Sequence, residues 1–328
     1  MALFVVGMVA LTVVRPTFSL DAKPVATKPL DAKPDKGQSV DQKPALHPLA
    51  RELMADLPYA EFPDQSDKSL QALLDDSIKA HQLTDFIDKN KLSITLVDIT
   101  DINAPKLAHV NGSVSFYAAS LPKLAILLAV FEEVHQNNLE LTPRIDAALV
   151  NMIRNSSNID ATYLYELVGA KRIAEILESE RYRFYDRNSE GGLWVGKPYG
   201  KQPAWQRDPL TNFSHAATGV QVARFYYMLQ RNELTDPTYC PIIKEILSDS
   251  AIEHKFVKGL KSENPTAEIF RKSGTWRNYH SDSAIVESAN GHQYIAVALS
   301  HTDKGSDILV QVIKYLDRIV EEFHSADS

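Results

Sequence analysis

Ser120 and Lys123 stand three residues apart at the head of "YAASLPKLAILLAVFEEV", a run of small and apolar residues that begins at Tyr117. Three residues is nearly one helical turn, so both side chains share a face. Pro122 is compatible only with a first turn, which places Ser120 at a helix N-terminus. There, unpaired N–H groups and the helix dipole favour developing negative charge. Burial in an apolar helix disfavours an ammonium and lowers the lysine's proton affinity. Such a lysine can take the proton of an adjacent hydroxyl and make it a nucleophile. The same spacing also describes a capping serine beside a lysine whose head reaches solvent. The pair alone therefore does not establish chemistry.

Two further segments add to it. "MIRNSSNIDAT" supplies Ser156 and Asn158 just after an apolar helical stretch, and "IFRKSGTW" supplies Lys272, Ser273 and Gly274 at the end of an expected strand. Ser-x-Asn by itself is weak, since it recurs at Ser262–Asn264 and Ser288–Asn290. All three elements in this order, each at the right kind of structural position, are a strong signal. Together they resemble the class A β-lactamase and penicillin-binding superfamily of active-site serine enzymes, over about Ser66 to Phe323.

The resemblance implies roles residue by residue. Ser120 is the acylated nucleophile and Lys123 its base partner. Ser156 relays a proton towards the leaving amine, and Asn158 holds Lys123 and the substrate amide. Lys272 and Ser273 receive the substrate carboxylate. Gly274 leaves room where the strand edge meets the substrate. The backbone N–H groups of Ser120 and Thr275 form the oxyanion hole, a kind of donor pair worth about 3–4 kcal/mol. No cofactor and no metal is implied.

The chain departs from the family pattern in three places. Only 36 positions separate Ser120 from Ser156, so a trimmed helical subdomain is expected. Ser157 stands where the family has Asp, and Lys-Ser-Gly replaces Lys-Thr-Gly. The loop "YDRNSEGGLWVG" offers Glu190 and Leu193 in the family's Glu-x-x-Leu spacing for a deacylation base, but Trp194 stands at the Asn position. Glu190 as the base, Glu190 as a solvated turn residue, and His215 as a substitute base all stay open. An Arg187–Asp208 pair is expected to pin the loop's neck. Trp194, Tyr199 and Trp205 either stack on ligand rings or form the loop's own core. A helix is expected from near Ala216 with Ser214 as its N-cap. Arg271, Arg277 and His280 flank the Lys-Ser-Gly strand as further candidates for carboxylate binding.

These side chains need a scaffold that joins distant segments. "SLQALLDDSIKAHQLTDFIDK" has helical periodicity through Leu70, Leu73, Leu74 and Ile78. "KLSITLVDIT" and "KLAHVNG" read as strands, with helices following from Leu121 to about Leu177. The strands "AEIFRKSG", "SDSAIVES" and "HQYIAVALS" and a closing helix end the chain. Strands at both ends with helices between predict an α+β fold: one antiparallel sheet built from both chain ends, flanking helices and an inserted helical subdomain.

Composition fits a globular domain of this kind. The 328 residues carry a formal charge of -7 and no basic stripe, which argues against nucleic-acid binding. The single cysteine, Cys240, excludes an internal disulfide and Cys-rich metal sites. Residues 1–19 include the apolar run "MALFVVGMVALTVV" and read as a signal peptide or N-terminal anchor. Residues 20–60, with Asp-Ala-Lys-Pro at 21–24 and 31–34, read as a Lys/Pro-rich solvated tether. Residues 61–328 form the expected hydrolase domain. The expectations are a periplasmic or extracellular monomer, with a membrane tether through the N-terminus left open. Its substrate is expected to be a β-lactam or a peptidoglycan-stem amide, cleaved through an acyl-enzyme or captured with little turnover.

Overall fold

The chain divides into Met1–Arg51 and Glu52–Ser328. The structure, a computed structural model, describes residues 62–325, all within the second unit. The signal-like segment and the tether lie outside the described residues. Among the described residues no helix is long and apolar enough to cross a membrane.

The first helix, α1 (Lys68–Ala80), is capped by the Asp67 carboxylate, which accepts from the Ser69 and Leu70 N–H groups at 3.0 Å. It buries Leu70, Leu74 and Ile78, the face that periodicity marks. The short α2 (Thr84–Asp88) leads into β1 (Leu92–Asp98) and β2 (Lys106–Val110). Three late strands, β8 (Glu268–Trp276), β9 (Tyr279–Glu287) and β10 (Gln293–His301), complete an antiparallel sheet in the order β2-β1-β10-β9-β8. Both chain ends therefore share one sheet, with β8 at its edge.

Alternation along the strands separates two cores. Leu92, Ile94, Leu96, Tyr294, Ala296 and Ala298 face one cluster, packed by α1 and the long C-terminal helix α10 (Gly305–Ser325). Val97, Ile295, Val297 and Leu299 face the other, which holds the helical subdomain. Buried on both faces, β10 reads as a nearly continuous apolar run, whereas β1, buried as fully, alternates apolar residues with Ser93 and Thr95.

The centre of the second core is α3 (Lys123–His135), apolar on nearly all sides and therefore enclosed all round. Around it stand α4 (Pro143–Arg154), α5 (Asn158–Val168) and α6 (Ala170–Glu178). A small sheet in the order β3-β7-β6 joins β3 (Phe116–Tyr117), β7 (His215–Ala217) and β6 (Trp194–Val195), and a two-stranded ribbon pairs β4 (Tyr185–Asp186) with β5 (Gly191–Gly192). The helix expected near Ala216 starts later, as α7 (Gly219–Gln230), and its N-cap is Thr218. His215 and Ala216 are taken by pairing with β3 and β6, so Ser214 precedes a strand and caps nothing. Gly219 is required where α7 meets β1: a Cβ there would lie 2.4 Å from Thr95 Oγ1. The helices α8 (Cys240–Leu247) and α9 (Phe256–Glu263) complete the described chain.

Candidate active site

Lys123 is the first residue of α3, after Pro122 at the N-cap, so Ser120 sits in the tight turn just ahead of the helix. The turn is held by the Leu121 N–H on Ala118 O at 3.0 Å and the Lys123 N–H on Ser120 O at 3.3 Å. Ala119, immediately before Ser120, has φ 52°, a left-handed conformation that a non-glycine residue adopts only under constraint from its surroundings.

Lys123 is fully buried. Its Nζ donates to Ser156 O at 2.6 Å and to Asn158 Oδ1 at 2.9 Å, and lies 3.4 Å from Ser156 Oγ. Burial lowers its pKa to about 7, against a smaller upward pull from Asp160. Near neutral pH, much of it is then a free amine with two N–H bonds directed at fixed acceptors. The tetrahedral position left over carries a lone pair.

Ser156 also has a left-handed backbone, φ 53°, in the turn between α4 and α5. Its Oγ accepts from Lys272 Nζ at 2.9 Å while facing Lys123. Because it accepts from Lys272, its own proton is free to be donated elsewhere. Ser157, the replacement for the family's Asp, is the N-cap of α5, and its Oγ accepts from the Asp160 N–H at 3.2 Å. Serine and aspartate cap helices about equally well, so the exchange keeps the turn.

Lys272 is buried on β8, and its pKa is driven well below the usual range by burial and by the neighbouring cations Lys123 and Arg271. Its Nζ also donates to the carbonyl of Ser273, which is itself buried. A Cβ on Gly274 would stand 2.2 Å from Ala118 O and 2.7 Å from Ser120 N. Only glycine lets β8 run against the nucleophile turn. Thr275, the next residue, is exposed at the strand edge and lines the same cleft as Ser120 and Asn158.

Lys255 carries no motif, and its part was not legible in the sequence. It is buried behind β8 and donates to Gly274 O at 2.7 Å, Thr275 Oγ1 at 2.8 Å and Ser281 O at 3.0 Å. Because Thr275 Oγ1 accepts from Lys255, its hydroxyl proton is left for an acceptor in the cleft. Arg271 is also buried, joined to Asp282 by two 2.8 Å bonds. It therefore braces β8 from behind and does not reach a ligand, contrary to the sequence-based expectation. Arg277 stacks on Trp276 at 4.3 Å, and His280 is half-buried.

The loop differs most from expectation. Glu190 is exposed in the turn between β4 and β5 and is not among the residues lining the cleft. Its charge pulls the His109 pKa upward, against the larger lowering by burial. The two residues that follow its glycines, Leu193 and Trp194, are both buried, and the Trp194 indole donates to Gln206 O at 3.1 Å. Burying this pair turns the preceding glutamate outwards. The expected Arg187–Asp208 pair is also absent. Arg187 binds Glu178 at 2.7 Å, and Asp208 accepts from the Tyr185 hydroxyl, the Leu210 N–H and Thr211 Oγ1.

Tyr199 occupies the ground beside the lysine. Its ring centroid lies 4.6 Å from Lys123 Nζ and its hydroxyl donates to Ala119 O at 3.2 Å. His215 packs under it at 4.3 Å. The His215 Nε2–H donates to Lys197 O at 3.2 Å, and Nδ1 faces Ser214 Oγ at 3.1 Å. Burial lowers its pKa to about 3, helped by the charges of Lys197 and Lys123. A neutral imidazole with both nitrogens engaged is a poor base for water. Glu190→Gln is accordingly expected to leave the lifetime of an acyl-enzyme within about twofold, a change small against the 10²–10⁴-fold worth of a true general base. A tenfold longer lifetime by intact-mass decay would place Glu190 in the chemistry after all.

The cleft has a volume of about 590 Å³ and, among the described residues, no Asp or Glu in its lining. Its described lining includes Ser120 in the turn before α3, Asn158 at the start of α5 and Thr275 at the open strand edge, and Asn158 accepts from the buried Lys123 amine.

Comparison with known proteins agrees with this layout. PBP-A is 17% identical over 80% of this chain and 99% of its own, with a TM-score of 0.59. A class A beta-lactamase from Bacteroides cellulosilyticus is 15% identical over 77% of this chain and 98% of its own, TM-score 0.58. A beta-lactamase from Sphaerobacter thermophilus is 15% identical over 76% of this chain and 95% of its own, TM-score 0.57. At such identities these likenesses speak to the fold. A search of curated proteins gives no match. The family model for the beta-lactamase enzyme family matches residues 78–148 and 143–322, most of the chain, and the chain belongs to that family.

Proposed function

We propose that this protein is an exported active-site serine enzyme that acylates itself on a β-lactam or a D-Ala-D-Ala-type amide and hydrolyses the acyl-enzyme slowly. One observation carries the reading: Lys123, a buried amine with a pKa of about 7 held by Ser156 O and Asn158 Oδ1, follows Ser120 by three residues, and Ser120 and Asn158 line a cleft with no carboxylate among its described lining residues. The first half favours acylation; the second disfavours rapid deacylation. Export rests on the apolar run of residues 1–19.

In this reaction Ser120 Oγ attacks the carbonyl carbon and passes its proton to neutral Lys123. The carbonyl electron pair moves to oxygen, towards the Ser120 and Thr275 N–H groups. Collapse of the tetrahedral intermediate breaks the C–N bond, and the leaving nitrogen takes its proton from Ser156 Oγ, which is refilled from Lys123. The substrate carboxylate accepts from the Thr275 hydroxyl, on the strand that carries Lys272. Penicillin-binding behaviour with little turnover is favoured over efficient lactamase activity by the outward position of Glu190. PBP-A, similar in fold, is known in a variant as an acyl-enzyme complex with penicillin-G.

Intact-mass analysis after mixing with benzylpenicillin at a series of pH values tests this reading. A covalent adduct of one penicillin is expected to form and persist. Below pH 7 Lys123 holds its proton and cannot take that of Ser120, so the acylation rate should climb about tenfold per pH unit and level off above about pH 7. No adduct, or adduct formation without a rise between pH 5 and 8, would refute the assignment.

A further inference from the structure

The protein is acidic overall, with a formal charge of -7, yet among the described residues the charged side chains lining its cleft are Lys197 and Arg207, both cationic. Among the described residues neither is paired with a carboxylate. Lys197 Nζ donates to Gly200 O at 2.7 Å and Arg207 Nη1 to Asn212 O at 3.2 Å, which leaves donors of both groups unspent. Lys197 is half-buried and Arg207 exposed, so both are open to a ligand. Both belong to the loop segment after β6, whereas the carboxylate position served by Thr275 and Lys272 belongs to β8. Tyr117 touches both sides, with Phe213 at 6.0 Å and Trp276 at 5.4 Å between ring centroids. Cations of one sign in a concave, partly apolar site focus the field and select anions, and a guanidinium is suited to a planar carboxylate.

We infer that Lys197 and Arg207 form a second anion subsite, so that the preferred acyl donor is a dianion with one carboxylate at β8 and another on its acyl side. The inference rests on the acylation chemistry proposed above. It implies a stem-like amide or a penicillin whose side chain is itself acidic, with Tyr117 and Phe213 offering rings for an apolar group between the two charges.

The probes are benzylpenicillin and α-carboxybenzylpenicillin, which share a phenyl side chain and differ by one carboxylate. The readout is the ratio of their second-order acylation rates, measured in about 0.15 M salt to screen long-range attraction. The wild-type ratio is expected to favour the dicarboxylate by roughly fivefold, the scale of a well-placed but solvated ion pair. In the double variant Lys197→Met, Arg207→Met the ratio should fall to about one. Lys201→Met, which removes an exposed charge outside the cleft lining, should leave the ratio as it is in the wild type. A wild-type ratio near one, an unchanged ratio in the double variant, or an equal fall in Lys201→Met would overturn the subsite while leaving the acylation chemistry intact. Failure of both penicillins to acylate would overturn that chemistry and the subsite with it.

Discussion

Replacing Ser120 with alanine is expected to abolish covalent labelling by benzylpenicillin, a loss of roughly 10⁶-fold or more by comparison with nucleophile removal in other serine enzymes. Ser120 is half-buried on the cleft wall, so loss of its hydroxyl should change the melting temperature little. Lys123→Ala removes the base and should slow acylation by roughly 10²–10⁴-fold. The double variant should be no slower than Ser120→Ala alone, since the two groups act as a unit. Labelling that survives in Ser120→Ala, located by peptide mapping to another side chain, would remove Ser120 from its role. Lys123→Ala also leaves Ser156 O and Asn158 Oδ1 without their donor, so its melting curve must accompany its rate.

The second large effect falls on stability. Arg271→Met should destabilise the domain by about 3–5 kcal/mol, because it leaves Asp282 as a buried charge without its partner. For a domain of this size that is a fall of roughly 6–20 °C in melting temperature. The pair is enclosed, with 1% and 0% side-chain exposure, and Arg271 also donates to Ile252 O at 2.6 Å and Ser250 Oγ at 3.0 Å. Replacing both members, Arg271→Met with Asp282→Leu, should recover much of the loss, since an apolar pair of similar volume carries no desolvation cost. A single variant that melts within 2 °C of wild type would show that the remaining donors to Asp282, the Phe256 and Ser283 N–H groups, suffice to hold it. Because Arg271 directly precedes Lys272 on β8, the variant should lower acylation as well, in proportion to how far the strand moves.

Much of this site was legible before the fold. Ser120 and Lys123 could be related because the spacing is local: a single tight turn, closed by the Lys123 N–H on Ser120 O, spans them. The alternation of β1, the apolar run of β10, the apolar face of α1 and the all-round apolar character of α3 are likewise local features of the sequence. The joining of Ser156, Asn158 and Lys272 to that pair came through resemblance to a family, and the distances from Lys123 and Lys272 to Ser156 give it physical form.

The tertiary structure decided the rest, for reasons that spacing does not carry. Glu-x-x-Leu matches a pattern at 190–193, but side-chain direction in a loop depends on which groups bury. Leu193 and Trp194 gain more from the core than Glu190 could from a site, so the turn points the carboxylate to water. Tyr199 rather than an acid then fills the space beside Lys123, and its hydroxyl holds the nucleophile turn. Lys255 and Asp282 are charged residues without a motif, and their positions behind β8 depend on how α9 and β9 pack, contacts between segments far apart in the chain. The Ser-x-x-Lys spacing of Ser120 and Lys123 and the strands of the sheet that both chain ends share are readable in the sequence. Only the packed structure decided which charges face the cleft and which brace it, because burial free energy, not local spacing, orients a side chain once the backbone has turned.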